Sequence, residues 1–434
     1  MIVTLSRNKY KWYRTLGGTL AINQLQNLLM NNDFKSNIIS SNIEKKIFVL
    51  FVVLFFLSDF LTKVSLVYFD SSFLRFAGII KLGFEFIMLF FLIKEFKINT
   101  ALILGLILIL AFFVSNFIKS EPINHDQLLK NAYYANRFLY IFIFIAFLKL
   151  YNVHFSGNDE FIKVFKTVLY MNAILIILAF IFEIELFRSY FSSSRFGYDG
   201  IFSKHGEAAY YYIFLISILY FEYIKNKSRK NLLILISISL VVILLGKKNI
   251  LLFLFLLFLA HIIFVLKKGK ALGLLLIIFI PIILLLKEAL LNGLFILSPY
   301  WENQYKSHGF MGMITSLRSN QLVYFINYIQ SNWNVLNYFV GVGEYDEYIV
   351  EFEFVDVFMF FGLIGIIIFI CLFKTYFYNK SNKISTLLLF CILMTSFFSG
   401  ALFLSVTGMM FFNVIFQWIN NTEFTDLEKK KISL

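Results

Sequence analysis

The stretches "IFVLFVVLFFL", Ile47 to Leu57, and "LLFLFLLFLAHIIFVL", Leu251 to Leu266, are apolar on every side. A helix at the surface of a soluble domain shows one apolar stripe and one polar face, and neither run has a polar face. Such runs recur along all 434 residues, whose composition is 60% hydrophobic, 20% aromatic and only 15% charged, with mean hydropathy +0.79. A bilayer core of about 30 Å takes about 20 apolar residues as helix. The runs do not alternate as the strands of a membrane barrel would. The sequence therefore predicts an all-α, polytopic transmembrane helical bundle.

About twelve spans are expected, at 47–68, 73–93, 100–118, 132–150, 164–187, 207–224, 231–246, 249–266, 271–286, 353–373, 384–400 and 401–419. The layout is a basic tail at 1–46, nine spans over 47–286, one long loop at 287–352, three spans over 353–419 and a tail at 420–434. Cytoplasmic loops carry excess Lys and Arg. With the N-terminus inside, 25 of the 39 Lys and Arg fall on the cytoplasmic side, so both termini are expected in the cytoplasm and the long loop outside. The +13 net charge is thus explained by topology, and no nucleic-acid partner is expected. Within the loop, Leu322, Phe325, Ile326 and Ile329 form one helical stripe, which predicts an interfacial helix flanked by Trp333.

Cys371 and Cys391 both lie in apolar runs, and the five histidines, His125, His154, His205, His261 and His308, have no metal-ligand spacing. No metal and no cofactor is expected. Charged residues inside spans are costly and draw attention: Asp59, Lys63, Arg75, Lys81, Glu85 and Arg137. Lys81 and Glu85 stand four apart and are expected to pair, while Lys63 is expected to reach toward a span end.

Cations on the outer side run against the positive-inside bias. Arg195 and Lys204 lie between the fifth and sixth spans, Lys247 and Lys248 form a tight hairpin in "LLGKKNILLF", and Arg318 precedes the interfacial helix in "SLRSNQ". An anionic ligand is the simple physical reason to keep them there, since Lys and Arg bind phosphate well. Carboxylates gather at the same side: "VGVGEYDEYIVEFEFVD", Val340 to Asp356, holds six of the 26 acids.

These segments together resemble the O-antigen polymerase and O-antigen ligase superfamily. "RFGYDGIFSKHGEAA" is similar to its outer R-x-G segment ahead of a span, and "GKKN" stands where members carry a short basic turn. Arg318 followed by an aromatic helix and Gly341-Val342-Gly343 fits a third element, and "VEFEFVDVFMFFGLIG" resembles the acidic patch followed by paired glycines. Ligases of the superfamily carry a histidine in the segment after the GxG, where this chain has Glu351, Glu353 and Asp356, so the polymerase pattern fits better.

The resemblance implies a metal-independent glycosyltransferase of the bacterial cytoplasmic (inner) membrane. It would join polyprenyl-pyrophosphate-linked repeat units, as both donor and acceptor, with a chain-length regulator and a flippase as partners and membrane lipids around it. Arg195, Arg318, Lys247 and Lys248 would hold the pyrophosphate, and Glu353 or Asp356, which share a helix face, would take the acceptor proton. The same two acids also suit a helix N-terminus, whose dipole they complement. Glu351, Tyr345 and Tyr348 are candidate sugar contacts. A lipid-linked oligosaccharide flippase or transporter is the competing class, although carriers are built from repeats and no twofold repetition is visible.

Overall fold

The computed structural model describes residues 46, 48–69, 75–95, 98–118, 125–151, 153, 155, 160–190, 195–270, 273, 277, 281, 282, 285–297, 299–343 and 350–422. Among them there is no β-strand, only a single bridge between Arg188 and Tyr198. The helices are α1 (Phe48–Tyr68), α2 (Phe76–Glu95), α3 (Thr100–Phe117), α4 (His125–Leu150) and α5 (Glu160–Phe182). They continue as α6 (His205–Asn226), α7 (Arg229–Val241, tightening into a 3-10 turn at Val242–Leu245) and α8 (Lys248–Ala260, extended by a π-turn at His261–Val265). The C-terminal part comprises α9 (Lys287–Leu297), α10 (Pro299–Thr315), α11 (Arg318–Asn332), α12 (Val335–Val340), α13 (Glu353–Tyr376), α14 (Lys383–Ser399) and α15 (Val406–Asn421).

Seven of these are long and apolar enough to cross a membrane: α1 to α5, α8 with its π-turn, and α13. Their outer faces are apolar. Helix α2 exposes Ile79, Leu82, Phe86, Phe90 and Ile93, and α3 exposes Ile103, Leu106, Leu110 and Phe113. Water does not tolerate contiguous apolar surface of this extent, whereas lipid does. The chain thus has the build of a multi-pass membrane protein. The expected ninth span, 271–286, falls mostly outside the described residues.

Two helices make the centre. Helix α6 is buried almost without break from Glu207 to Phe221, and α15 from Thr407 to Phe416. They pack against each other, with α7 and α8 flanking α6 and α4 flanking α15. Aromatic rings fill the seam: Phe411 lies 5.1 Å from Phe165 and 5.3 Å from Tyr211, and Phe412 lies 4.7 Å from Phe377. Offset and edge-on ring pairs at such spacings each add about 0.5–1.5 kcal/mol beyond burial.

The long loop is largely helical. The expected stripe on α11 exists in modified form. Phe325 is buried against Val342, Val350 and Met359, with Leu322, Ile329 and Trp333 around it, but Ile326 is exposed. The stripe therefore seats α11 on the start of α13. Helix α13 breaks at Gly362, and the carbonyls of Met359 and Phe360 near the break accept from the N–H groups of Val342 (2.9 Å) and Gly343 (3.2 Å). The Gly341–Gly343 segment is thereby fixed to the helix that carries Glu353.

Candidate functional site

The loop between α5 and α6 folds back on itself. Ser189 N–H donates to the Gly197 carbonyl (2.9 Å) and Asp199 N–H to that of Phe187 (3.1 Å). Tyr198 N–H then donates to the Leu244 carbonyl (2.9 Å), tying the loop to the α7–α8 hairpin. Gly246 makes the crossing possible: its φ is +66°, and a Cβ there would lie 2.2 Å from the Phe196 carbonyl oxygen. Arg195 and Lys247 are brought to one spot by this crossing. On the far side, Gly400 lets the backbone of Glu351 approach so closely that a Cβ would stand 2.6 Å from its carbonyl oxygen.

The result is a cavity of about 740 Å³ into which Arg195, Lys247, Lys248 and Arg318 all project, together with Glu351, Tyr190, His205, Tyr210 and Tyr300. Three separate segments thus deliver all four cations to one wall system. Aromatic faces hold several of them. Arg195 stands 4.4 Å from the centre of the Tyr190 ring, Lys247 4.5 Å from the same ring, and Lys248 3.8 Å from that of Trp301. A ring face steadies a cation without neutralising its formal charge, as a carboxylate would. Burial, followed by the repulsion of Arg195, pulls Lys247 from 10.5 down to about 7. Burial likewise pushes the Tyr190 phenol up to about 12.

The cations are not equivalent. Lys248 donates to the carbonyls of Met313 and Ile314 and to Ser316 Oγ, closing the C-terminal end of α10, where helix carbonyls lack partners. Lys247 donates to the Tyr190 hydroxyl. Arg318 donates from Nε (3.0 Å) and Nη2 (2.7 Å) to Glu351 Oε2, and from Nη1 (3.0 Å) to the Phe398 carbonyl. Ser316, Leu317 and Glu351 all have φ between 55° and 72°, so the Arg318–Glu351 pair is mounted on left-handed backbone at both ends.

Glu353 and Asp356, expected as bases, do not line this cavity. They do share the first turn of α13, but both are buried, at 2% and 3% exposure. Glu353 accepts from the N–H groups of Leu402 (2.9 Å) and Phe403, and Asp356 from that of Val350 (2.9 Å). Their oxygens are occupied in holding the turns that shape the cavity rim. Glu351 is the acid of this group that reaches the cavity. Tyr345 and Tyr348 lie outside the described residues.

Two further expectations are corrected. Lys63 does not reach toward a span end. It is 1% exposed and ion-paired with the fully buried Asp199, and it also donates to the Gly200 carbonyl (2.6 Å). Lys81 does not pair with Glu85; it pairs with Glu207 of α6 (3.1 Å), while Glu85 accepts from Asn136 (2.9 Å). In both cases the partner is on another segment, the α5–α6 loop for Lys63 and α6 for Lys81, because neutralising a charge deep in a bundle needs a group aimed inward rather than a neighbour along the same face.

Sequence reasoning missed His205. Its Nδ1 lies 2.7 Å from Asp199 Oδ2, while the ring itself borders the cavity and is 32% exposed. The Tyr190 ring centre is 4.8 Å away. The signal was present as Asp199 and His205 six apart in an outer segment, yet no spacing rule links a loop aspartate to a helix-start histidine. No family model, no curated protein and no solved structure matches the chain.

Proposed function

We propose that the chain polymerises polyprenyl-pyrophosphate-linked oligosaccharide repeat units at the outer face of the bacterial cytoplasmic membrane, as a member of the O-antigen polymerase and ligase superfamily. In this reading it crosses the membrane twelve times with both termini in the cytoplasm, as the Lys and Arg distribution favours. The observation that carries the reading is the cavity itself. Arg195, Lys247, Lys248 and Arg318 come from three distant segments, yet meet around one space with Glu351 as the mostly exposed carboxylate among them.

Such a cavity suits a diphosphate with a sugar on one side and a lipid on the other. When the glycosidic bond to the diphosphate breaks, negative charge builds on the leaving oxygens. Fixed cations in a partly desolvated site stabilise that charge more than they stabilise the ground state. Arg318 would exchange Glu351 for the diphosphate, and Arg195 and Lys247 would meet it from the opposite wall. Tyr300 provides a ring face against which sugar can pack.

A lipid-linked oligosaccharide transporter is the second reading. It is favoured by the charges buried between helices, where Lys81 pairs with Glu207 and Asp59 accepts from Ser203 N–H (3.3 Å). The surface glycan of a null mutant separates the two. A single repeat unit on the carrier or on the outer surface marks a missing polymerase, and complete loss of outward glycan marks a missing transporter. Polymer stranded on the lipid carrier would mark a ligase instead.

A further inference from the structure

We infer that His205, oriented by Asp199, is the group that takes the proton from the acceptor hydroxyl, an assignment that rests on the polymerase reading above. Asp199 is fully buried, and one of its oxygens is paired with Lys63 of α1. The other accepts from His205 Nδ1 at 2.7 Å. The loop around it is fixed: Asn172 of α5 donates to the Asp199 carbonyl (3.3 Å) and accepts from Ile201 N–H (2.8 Å). Aspartate in this arrangement selects the imidazole tautomer with hydrogen on Nδ1, and Nε2 then carries the lone pair. Among the described residues Nε2 has no hydrogen-bond partner, and the ring borders the cavity.

A buried Lys–Asp pair alone is a poor stabiliser, because desolvating both charges offsets most of their attraction. The histidine at its solvent end gives the pair a use. Lys63 balances Asp199, so the buried unit is neutral overall, and Asp199 holds the ring at one angle. Of the competing carboxylates, Glu353 and Asp356 are engaged on backbone N–H groups, and Glu351 pairs with Arg318 until the diphosphate takes its place. Close to His205 lie Asp199 on its Nδ1, Lys204 next to it in sequence and paired with Glu207, Tyr190 against its ring, and Lys247 and Arg195 beyond Tyr190.

In the reaction, the acceptor O–H bond breaks and its proton goes to His205 Nε2. The freed electron pair forms the new bond to the anomeric carbon. The bond from that carbon to the diphosphate oxygen breaks, and the polyprenyl diphosphate leaves with its electron pair. The imidazolium then returns the proton to solvent. His205 is the catalytic residue here, and Asp199 a positioning residue.

The test uses the full chain in liposomes, with lipid-linked repeat unit extracted from a null mutant as substrate and inorganic pyrophosphate as binding probe. His205→Gln is expected to bind pyrophosphate as the wild type does and to elongate about a hundredfold more slowly or worse. Asp199→Asn is expected to lower kcat with little change in KM for the donor. Elongation by His205→Gln within about threefold of wild type would overturn the assignment while leaving the polymerase reading intact. So would loss of pyrophosphate binding in both His205→Gln and His205→Asn, which makes the dyad structural. A wild-type chain that binds pyrophosphate but never elongates the substrate would overturn the polymerase reading itself.

Discussion

Arg318 and Glu351, thirty-three residues apart, join through two guanidinium N–H groups on a single carboxylate oxygen, at 2.7 and 3.0 Å. The arginine side chain is 20% exposed and the glutamate 55%, so the pair straddles the cavity edge. Glu351 sits on left-handed backbone, and Arg318 opens α11 directly after the left-handed residues Ser316 and Leu317. A carboxylate so placed stands where a phosphate oxygen would stand, on the same fork of donors.

Removing the competitor should therefore tighten the site. Glu351→Gln is expected to raise affinity for pyrophosphate about two- to fivefold, the range of a largely exposed ion pair. Arg318→Ala should lower polymer formation about 10²–10³-fold, and Arg318→Lys should recover only part of it, because the fork is lost. Calorimetric titration and the surface-glycan ladder measure the two effects. A Glu351→Gln variant that binds more weakly would show that the glutamate supports the ligand rather than standing in for it.

Lys247 gives the site a pH dependence of defined sign. Its folded value of about 7 lies below the ordinary 10.5, so the free cavity loses this charge as pH rises through about 7. An anion favours the ammonium and raises its value on binding. Between about 7 and that higher value, binding takes up a proton and affinity falls with rising pH. Below about 7 this group contributes no slope. Pyrophosphate affinity measured across this range for wild type and Lys247→Gln isolates the effect, since the ligand's own ionisation is common to both. Identical slopes would remove Lys247 from the binding set.

The helical, membrane-spanning build was legible because apolar runs report it directly, residue by residue. The gathering of Arg195, Lys247, Lys248 and Arg318 was legible only as a shared side; the crossing at Gly246 and the approach at Gly400 set the actual convergence, and neither follows from spacing. The placement of Glu353 and Asp356 was not legible because acids at a helix start read alike whether they face a cavity or the backbone of another turn. Their partners, Leu402, Phe403 and Val350, are contacts that no local pattern announces. The Lys63–Asp199–His205 chain spans three segments and stayed hidden for the same reason.

Glu353 is expected to act on stability rather than on the chemical step. Glu353→Ala leaves the buried N–H groups of Leu402 and Phe403 without their acceptor, at about 1–3 kcal/mol each. Thermal unfolding in detergent should show a clear drop for the alanine variant and a smaller one for Glu353→Gln, which keeps one acceptor oxygen. Polymer formed per folded molecule should change little in the glutamine variant. A fully stable Glu353→Gln protein with polymerisation reduced a hundredfold would return this carboxylate to the reaction.

Gly246 tests whether the loop crossing sets the distance between Arg195 and Lys247. Alanine there must hold φ near +66°, which costs about 1–3 kcal/mol, and its Cβ meets the Phe196 carbonyl at 2.2 Å. Relief comes most readily by moving the 195–200 loop off the α7–α8 hairpin, which breaks the Tyr198–Leu244 hydrogen bond and parts the two cations. Gly246→Ala is therefore expected to weaken pyrophosphate binding about tenfold or more, the equivalent of about 1.4 kcal/mol. Gly269→Ala is the matched control, since among the described residues nothing beyond its own chain neighbours lies within 4 Å of the added methyl. Equal affinity for Gly246→Ala and Gly269→Ala would mean that the cations keep their spacing without the crossing, and that the α8 hairpin alone presents Lys247 to the anion.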